Sequence, residues 1–243
     1  VRGCQSMELI FREDAYACEC EATVTAVDER GIWLDRTIFY AEGGGQPGDQ
    51  GTLTTATGEI VEIINAVKAE GPETSICIPA EGANFPEVGA KVIARIDWER
   101  RHRLMRMHTA MHLLCSAVPA GVTGGQVGLE KSRLDFDVGE TVLVKEEIQA
   151  KLNEMVSTAA AVEYKWVEDS ELDENPNLVR TMSVQPPRGS GRIRLVAIGE
   201  GLDLQPCGGT HVSNLSEIGR IVVGKIENKG KRNRRVNITL EDV

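Results

Sequence analysis

One stretch, Asp97-Trp-Glu-Arg-Arg-His-Arg-Leu-Met-Arg-Met-His-Thr-Ala-Met-His-Leu-Leu-Cys-Ser-Ala-Val-Pro119, divides the chain into two regions of different pattern. Asp97 is a favoured helix N-cap, and Pro119 ends a helix because proline lacks a backbone N–H. The residues at helical spacing between them form one face: Leu104, His108, Met111, His112 and Cys115. We therefore expect a helix over 97–118 with both histidines on its inward side, where side chains four residues apart project together.

The region before this helix consists of short alternating runs separated by turn signals. The runs are 20–27, 59–64, 75–78 and 91–96. Closely spaced short strands with little helical periodicity predict a small antiparallel barrel or sandwich. We expect the first domain to be a small antiparallel β-barrel over residues 7–96, and we assign no function to residues 1–6.

The region after the helix mixes strands with a second amphipathic helix. We expect that helix near 145–162, with Ile148, Leu152, Met155, Val156 and Ala159 inward. The expected strands are 134–137, 164–167, 192–198, 219–226 and 235–240, of which the last two form a hairpin. The second domain, 97–243, is thus expected to be α+β, with helices packed on an antiparallel sheet.

Length and composition indicate a folded protein without a membrane segment. The 243 residues are 41% hydrophobic, but no run approaches the roughly 18 apolar residues of a membrane span. The N-terminus lacks the apolar core of a secretory signal, so we expect a cytoplasmic location and no membrane contact. Six scattered cysteines do not resemble a disulfide framework.

The net charge of −10 argues against a general nucleic-acid binder, but the cations are clustered. One strip is Arg95, Arg100, Arg101, Arg103 and Arg106, and the other is Lys225, Lys229, Lys231, Arg232, Arg234 and Arg235. Such strips suit a protein that touches a polyanion at chosen places. Each strip alone is equally consistent with solvated surface paired with some of the 37 acidic residues.

Two residue pairs with the same spacing predict a metal site. His108 and His112 lie on the helix, and Cys207 and His211 belong to Pro206-Cys-Gly-Gly-Thr-His211, where two glycines allow a tight fold. Three imidazoles and a thiolate are ligands that zinc accepts in a tetrahedral site. The alternative is a reduced structural cysteine beside a histidine.

The ligand set leaves the role of the metal open. The helix motif lacks the glutamate of a His-Glu-x-x-His zinc protease. Four protein ligands would fill a tetrahedron, whereas hydrolytic zinc normally keeps a position for water or substrate. One ligand is therefore loose, or the metal accepts a fifth ligand, or it only organises the pocket.

Two glycine-rich stretches lie before and after the helix that carries the histidine pair. Residues 41–51 contain five of the chain's 25 glycines, which would let backbone approach a ligand or present amide groups to an anion. They match neither a P-loop nor a dinucleotide fingerprint, and the alternative is a long barrel turn. The second stretch, 121–128, directly follows the helix, so the Gln126 side chain is a candidate to reach the metal pocket. The alternative interpretation of Gln126 is an ordinary loop glutamine.

The loop Gln185-Pro-Pro-Arg-Gly-Ser-Gly191 is a further candidate, either as a lid or as a phosphate contact.

Taken in order, five motifs resemble the alanyl-tRNA editing family, the free-standing AlaX proteins that correspond to the editing part of alanyl-tRNA synthetase. They are Thr37-Ile-Phe-Tyr-Ala-Glu-Gly-Gly-Gly-Gln-Pro-Gly-Asp49, His108-Thr-Ala-Met-His-Leu-Leu114, Gly125-Gln-Val-Gly128 with Leu134-Asp-Phe-Asp137, Cys207-Gly-Gly-Thr-His211, and Ile218-Gly-Arg-Ile-Val-Val through Arg234-Arg-Val. Threonyl-tRNA synthetase editing domains share both ligand pairs, but the Gly43-Gly-Gly-Gln46 loop resembles the alanyl branch. The resemblance covers about residues 20–240.

The resemblance implies a zinc-dependent hydrolase that deacylates tRNA(Ala) mischarged with serine, and also with glycine, while sparing Ala-tRNA(Ala). No aminoacylation domain precedes these motifs, so we expect no charging activity. The implied ligands of Zn²⁺ are His108, His112, Cys207 and His211. Catalytic roles fall on Gln126 and Thr109, and substrate-binding roles on Thr37, Gly45, Gln46, Arg234 and Arg235. The rival hypotheses are a non-catalytic zinc module that binds tRNA or a synthetase, and a hydrolase acting on a small ester or amide.

Overall fold

The computed structural model describes residues 7–69, 74–174 and 192–241. Over these residues the protein is α+β with mostly antiparallel sheets. The chain divides into two compact units: the first takes the residues up to Gly43 and Pro47–His102, and the second takes Gly44–Gln46 and the residues from Arg103 onward. Among the described residues, no helix has the length and apolar character needed to cross a membrane. The 185–191 loop and residues 1–6 lie outside the described part.

The first unit is built around a closed barrel. Its strands are β1 (Glu8–Leu9), β2 (Glu19–Asp28), β3 (Gly31–Leu34), β4 (Arg36–Thr37), β5 (Gly51–Thr55), β6 (Ile60–Val67), β7 (Ile76–Pro79) and β8 (Lys91–Ile96). The barrel order is β2-β3-β7-β6-β5-β8, with every neighbouring pair antiparallel. The expected antiparallel barrel is therefore present, and the sandwich alternative is wrong.

The barrel is held by the alternation of apolar and polar residues that its sequence shows. On β6, Val61 and Ile63 are buried in the core, while Glu62 and Ile64 point outward. Full burial of one such aliphatic side chain contributes roughly 1.5–3 kcal/mol. The interior of the first unit is thus filled by the inward residues of all six strands.

A buried ion pair lies within the first unit. Arg101 has no exposed surface; it pairs with Asp49 and donates to the carbonyl oxygens of Ala15 at 2.8 Å and Ile38 at 2.7 Å. Asp49 also accepts from the Tyr40 amide at 2.7 Å. Removing one partner of such a pair costs about 3–5 kcal/mol because the other charge stays buried. The placement of Arg101 in an exposed basic strip is therefore wrong.

The second unit contains two sheets. Its strands are β9 (Gly121–Gln126), β10 (Ser132–Asp137), β11 (Val162–Glu168), β12 (Arg192–Ile198), β13 (Asp203–Pro206), β14 (Arg220–Val223), β15 (Glu227–Asn228) and β16 (Asn233–Glu241). One sheet has the order β14-β16-β10-β9 with β15 paired to β16, and the other has the order β11-β12-β13. The expected hairpin is present as the antiparallel pair of β14 and β16.

The helices are α1 (Trp98–Ala117), α2 (Lys145–Ser157) and α3 (Asp169–Glu174). The prediction of α1 is confirmed: the Asp97 carboxylate accepts from the Arg100 amide at 3.1 Å, and all five residues of its expected inward face are buried. The predicted end of the second helix is wrong, because Ala159 has a φ of 48° and is exposed. The segment after α2 pairs instead with residues 213–215, through bonds such as Val162 N to Ser213 O at 2.9 Å.

A candidate metal centre

Two elements of the second unit bring the four predicted ligands together. His108 and His112 project from α1, and Cys207 and His211 lie in the loop that follows β13. Their ligand atoms all lie within 4.8 Å of one another. The three histidines are buried and Cys207 is half-buried.

The loop from Cys207 to His211 fits closely against α1. A Cβ atom at Gly209 would lie 2.2 Å from Cε1 of His108, whereas a Cβ at Gly208 would meet nothing within 4 Å. Only the second glycine is thus required for the close approach.

Arg194 fastens this loop to β12. Its Nε donates to the Cys207 carbonyl oxygen at 3.0 Å, its Nη2 donates to that of Gly209, and its guanidinium lies 4.2 Å from the centre of the Tyr164 ring. Sequence reasoning missed this residue. The sequence carried no signal for it, because Arg194 alternates with the apolar Ile193 and Leu195 and so has the pattern of a solvent-facing residue.

Each histidine has its Nδ1 atom held by a different acceptor. His108 Nδ1 lies 2.7 Å from Gln46 Oε1, and His112 Nδ1 lies 2.9 Å from Asp203 Oδ2. His211 Nδ1 lies 3.2 Å from the Thr109 hydroxyl oxygen. That hydroxyl donates to the Met105 carbonyl at 2.8 Å, so it accepts from the histidine. Each Nδ1 therefore carries a hydrogen, and each Nε2 is left for a metal.

The Nε2 atoms turn toward the cysteine sulfur. Cys207 Sγ lies 3.5 Å from Nε2 of His108 and 3.3 Å from Nε2 of His211. The Gly209 amide also donates to this sulfur, at 3.4 Å. The four donors therefore converge on one point.

Two further residues fix the acceptors themselves. Gln46 donates through Nε2 to the Thr210 hydroxyl at 2.8 Å, which orients its oxygen toward His108. Besides His112, Asp203 accepts from Gln205 Nε2 through both carboxylate oxygens, at 2.8 and 2.9 Å. Asp203 was not identified from the sequence; its signal was an acidic residue opening the short strand before Cys207.

Electrostatics in the cluster favours a thiolate. Burial opposes ionisation of Cys207, but its electrostatic interactions with the neighbouring imidazoles outweigh burial and hold the pKa of the thiol well below its usual value. Burial also opposes protonation of His112, yet the hydrogen bonds to Asp203 and Cys207 raise its pKa to about 10. Burial and the neighbouring His108 lower the pKa of His211. Cysteine binds a metal ion as the thiolate, so these interactions favour the form of Cys207 that a metal requires. Metal binding would displace a proton from the His112 imidazole.

The donor set fits a metal ion. Three imidazole nitrogens and one thiolate are the ligands of borderline-soft divalent ions, and the fixed Nδ1 partners are those found around such ions. The group His108, His112, Cys207 and His211 is consistent with zinc.

The structure places the other predicted residues of the second unit around this cluster or on the neighbouring sheet. Gln46 and Thr109 have no exposed surface, and each contacts a histidine of the cluster. Gly45 has a φ of 81°, and its carbonyl accepts from the Val127 amide at 2.8 Å. Gln126 is exposed at the end of β9 and lines a cavity whose lining includes none of the four ligands.

Both basic strips are largely engaged with the protein itself. In the second strip, Arg235 pairs with Asp135 at 2.7 Å, and Arg234 donates to Asn228 Oδ1 at 3.1 Å. In the first strip, Arg103 and Arg106 donate to backbone carbonyl oxygens. Thr37, in the first unit, is fully buried and accepts from the Phe39 amide at 3.0 Å.

Comparison with known proteins supports the resemblance. The family described as threonyl and alanyl tRNA synthetase second additional domain matches residues 193–237, and that of class II (A) tRNA synthetases matches residues 9–100. The alanyl-tRNA editing protein AlaX-M of Methanosarcina acetivorans is 37% identical over 97% of this chain and 99% of its own length. The AlaX-M of Saccharolobus solfataricus is 34% identical over 96% and 99%.

A longer relative matches as well. The alanine–tRNA ligase of Methanothermobacter thermautotrophicus is 33% identical over 90% of this chain, which corresponds to 25% of the ligase. The free-standing relatives are thus matched over nearly their whole length, and the ligase over one quarter. On these grounds the chain belongs to the family of AlaX-M alanyl-tRNA editing proteins.

Proposed function

We propose that this protein is a zinc-dependent aminoacyl-tRNA hydrolase that acts in the cytoplasm on tRNA(Ala) mischarged with serine and, less selectively, with glycine. The observation that carries the proposal is the convergence of three Nε2 atoms and the Cys207 sulfur, in a chain of the alanyl-tRNA editing family. In this proposal residues 97–243 form the editing domain, and the barrel over residues 7–96 with its glycine-rich loop is a separate domain.

The ligands of Zn²⁺ in this proposal are His108, His112, Cys207 and His211. A zinc ion held there supplies Lewis-acid chemistry toward the ester carbonyl, the α-amino group or a water molecule. The reaction itself is the addition of water across an activated ester, which releases the amino acid and restores the tRNA 3′-terminal hydroxyl. No covalent nucleophile is needed, because positioning of water against a labile ester lowers the barrier by itself.

The protein residues have distinct tasks in this proposal. Thr109 and Gln46 are positioning residues, since each touches a histidine and not the solvent. Gln126 contacts the aminoacyl end of the tRNA; its exposed side chain and its place beside the Gly45 loop support that role. Thr37 and Gly45 shape the pocket through backbone conformation, and Arg234 and Arg235 contact phosphate.

Selectivity follows from the chemistry of the two substrates. A pocket group that is satisfied only by the serine hydroxyl disfavours alanine strongly, because the group would be left unpaired. Glycine differs from alanine by one methyl group, which is worth only about 1–3 kcal/mol. We therefore expect strong preference for serine over alanine and weaker preference for glycine over alanine.

One observation favours a second candidate function. All four donors are protein side chains, and four ligands saturate a tetrahedral ion. A non-catalytic zinc module that binds tRNA or a synthetase would have this ligand set. The family of the chain favours the enzyme, because its relatives are alanyl-tRNA editing proteins.

The test is hydrolysis of Ser-tRNA(Ala), Gly-tRNA(Ala) and Ala-tRNA(Ala) by the zinc-loaded protein. We expect rapid loss of serine, slower loss of glycine and little loss of alanine. Cys207→Ala should lower the rate about 100-fold or more through loss of the metal, whereas Cys18→Ala, at an exposed cysteine outside the cluster, should leave it unchanged. Absence of hydrolysis with intact tRNA binding would support the binding module. Hydrolysis of a small ester that uncharged tRNA does not inhibit would instead indicate a hydrolase acting on small esters or amides.

A further inference from the structure

A cavity of about 340 Å³ opens on the second unit, formed by residues of β9, β10, β15 and β16 and the turn between β9 and β10. Its volume lies in the range of small-ligand sites, roughly 300–1,000 Å³. The charged and amide side chains that line it are Gln126, Lys131, Arg133, Glu227, Arg235 and Asn237. Of these, only Gln126 and Arg235 were predicted from the sequence to have a functional role.

The register of the sheet builds this lining. Arg133 on β10 is directly opposite Gln126 on β9 and Asn237 on β16, so the three residues form one row. Along β10, Leu134 and Phe136 are buried and the alternate residues are partly exposed. The row therefore lies on the face of the sheet opposite its apolar side.

A carboxylate outside the cavity lining aligns two of the cations. Asp135 accepts from Arg133 Nη1 at 2.7 Å and from Arg235 Nε at 2.7 Å and Nη2 at 2.9 Å. The two guanidinium groups are thus held side by side, and Lys131 adds a third positive charge to the lining. Planar guanidinium groups fixed in this way are suited to phosphate oxygens.

Glu227 gives the cavity a second kind of partner. Its carboxylate accepts from Asn237 Nδ2 at 2.8 Å and from Lys229 Nζ at 2.7 Å, and it also lines the cavity. A carboxylate repels a bare anion but accepts from hydroxyl or amino groups. A ligand that suits the whole lining therefore carries a phosphate together with hydrogen-bond donors. A ribonucleotide meets both requirements through its phosphate, its ribose hydroxyl groups and its base.

The cavity adjoins the loop that supports the metal centre. A Cβ at Gly45 would lie 3.5 Å from Cα of Gln126, and a Cβ at Gly125 would lie 3.9 Å from Cε of Met111, between the two helix histidines. We propose that this cavity binds one ribonucleotide unit of the tRNA strand, with its phosphate on Lys131, Arg133 and Arg235 and its donor groups on Glu227. The identity of the RNA rests on the proposed function, whereas the nucleotide chemistry rests on the cavity.

The first measurement is binding of uncharged tRNA(Ala) at several salt concentrations. The double variant Lys131→Gln/Arg133→Gln should weaken binding about tenfold or more and reduce the salt slope by about one to two. Arg235 still pairs with Asp135 in this variant, so the sheet keeps one of its ion pairs. The matched control is Arg220→Gln, which removes an exposed arginine paired with Glu241 at 3.0 Å elsewhere on the same sheet; its binding should stay within about twofold of the unaltered protein.

The second measurement is titration with adenosine monophosphate, its 2′-deoxy form and inorganic phosphate, followed by NMR shifts of Gly128 and Ser132. We expect the ribonucleotide to bind more tightly than the other two, and its binding to be lost in the double variant. Equal binding of all three would overturn the nucleotide assignment, and an unchanged tRNA affinity and salt slope would overturn the site. None of these ligands carries an aminoacyl ester, so both measurements report binding alone. An absence of deacylation would therefore contradict the proposed function and leave the nucleotide site untouched.

Discussion

At the scale of the residue, the three imidazoles of the cluster are oriented by three chemically different acceptors. His112 faces a carboxylate, His108 a carboxamide and His211 a hydroxyl group. A carboxylate is the strongest of these acceptors and makes its imidazole the most basic ligand. Asp203 is also 3% exposed, so its charge is little screened by solvent. The contribution of the protein to metal affinity should therefore be largest at Asp203.

Asp203→Asn tests this ranking. The amide keeps an acceptor for His112 but loses the charge and one of the two bonds from Gln205. We expect zinc affinity to fall about 10–100-fold, measured by competition with a chromophoric chelator. Asp137→Asn, at a partly exposed carboxylate paired with Arg232, is the matched control. A zinc affinity within twofold of the unaltered protein would show that Asp203 does not act on the metal ligands.

The sequence predicted residues of this site only where a spacing or a glycine marked them. The histidine pair and the Cys207 loop each carry a visible motif, so the sequence predicted all four members of the cluster. Asp203 and Arg194 carry none, because their roles depend on which loop packs beside their strand. Gln46 was found through the glycine-rich motif, but its partner His108 is 62 positions away and only the fold reveals the contact.

At the scale of the element, the loop from Cys207 to His211 depends on one glycine and not on the other. An added methyl group at Gly209 would collide with the His108 ring, while the same group at Gly208 would point into open space. Overpacking of this kind typically costs about 1–3 kcal/mol, and here it would fall on a metal ligand.

The paired variants Gly209→Ala and Gly208→Ala test this difference. We expect Gly209→Ala to lower zinc affinity about 5- to 150-fold, since about 1–3 kcal/mol of strain acts on the bound geometry. The variant should also lower the unfolding temperature of the zinc-loaded protein. Gly208→Ala should match the unaltered protein in both measurements. Equal effects of the two substitutions would mean that the close approach of the loop to α1 is not what the glycines provide.

The elements differed in how far sequence could predict them. The cap at Asp97 and the proline at 119 delimit α1 at both ends, so its bounds were correct to one residue. The C-terminus of α2 has no such signal, because Ala159 and Ala160 are compatible with a helix. Tertiary pairing with residues 213–215 ends it earlier. The local pattern thus predicted the helix whose two ends are marked locally, and it extended too far the helix whose end is set by pairing with a distant segment.

At the scale of the whole molecule, the two units differ in what stabilises them. The barrel of the first unit rests on its apolar interior and the buried pair of Arg101 and Asp49. The alternating strands predicted such a barrel. The order β2-β3-β7-β6-β5-β8 could not be read from them, because every strand offers the same backbone donors and acceptors to a neighbour. The four proposed ligands all belong to the second unit, where a bound metal ion would join α1 to the loop after β13.

Metal removal should therefore act on the second unit in particular. Zinc at 100 times its dissociation constant stabilises the form that binds it by about 2.7 kcal/mol. Local opening motions that separate the metal ligands should then become about 100-fold rarer. We expect hydrogen exchange in residues 105–115 and 203–212 to slow by that order when the chelated protein is loaded with zinc. The barrel strands, which carry none of the ligands, should exchange at unchanged rates and serve as the internal control. Slowing of the same size throughout the barrel would contradict this view, since the ion would then stabilise both units as one cooperative body.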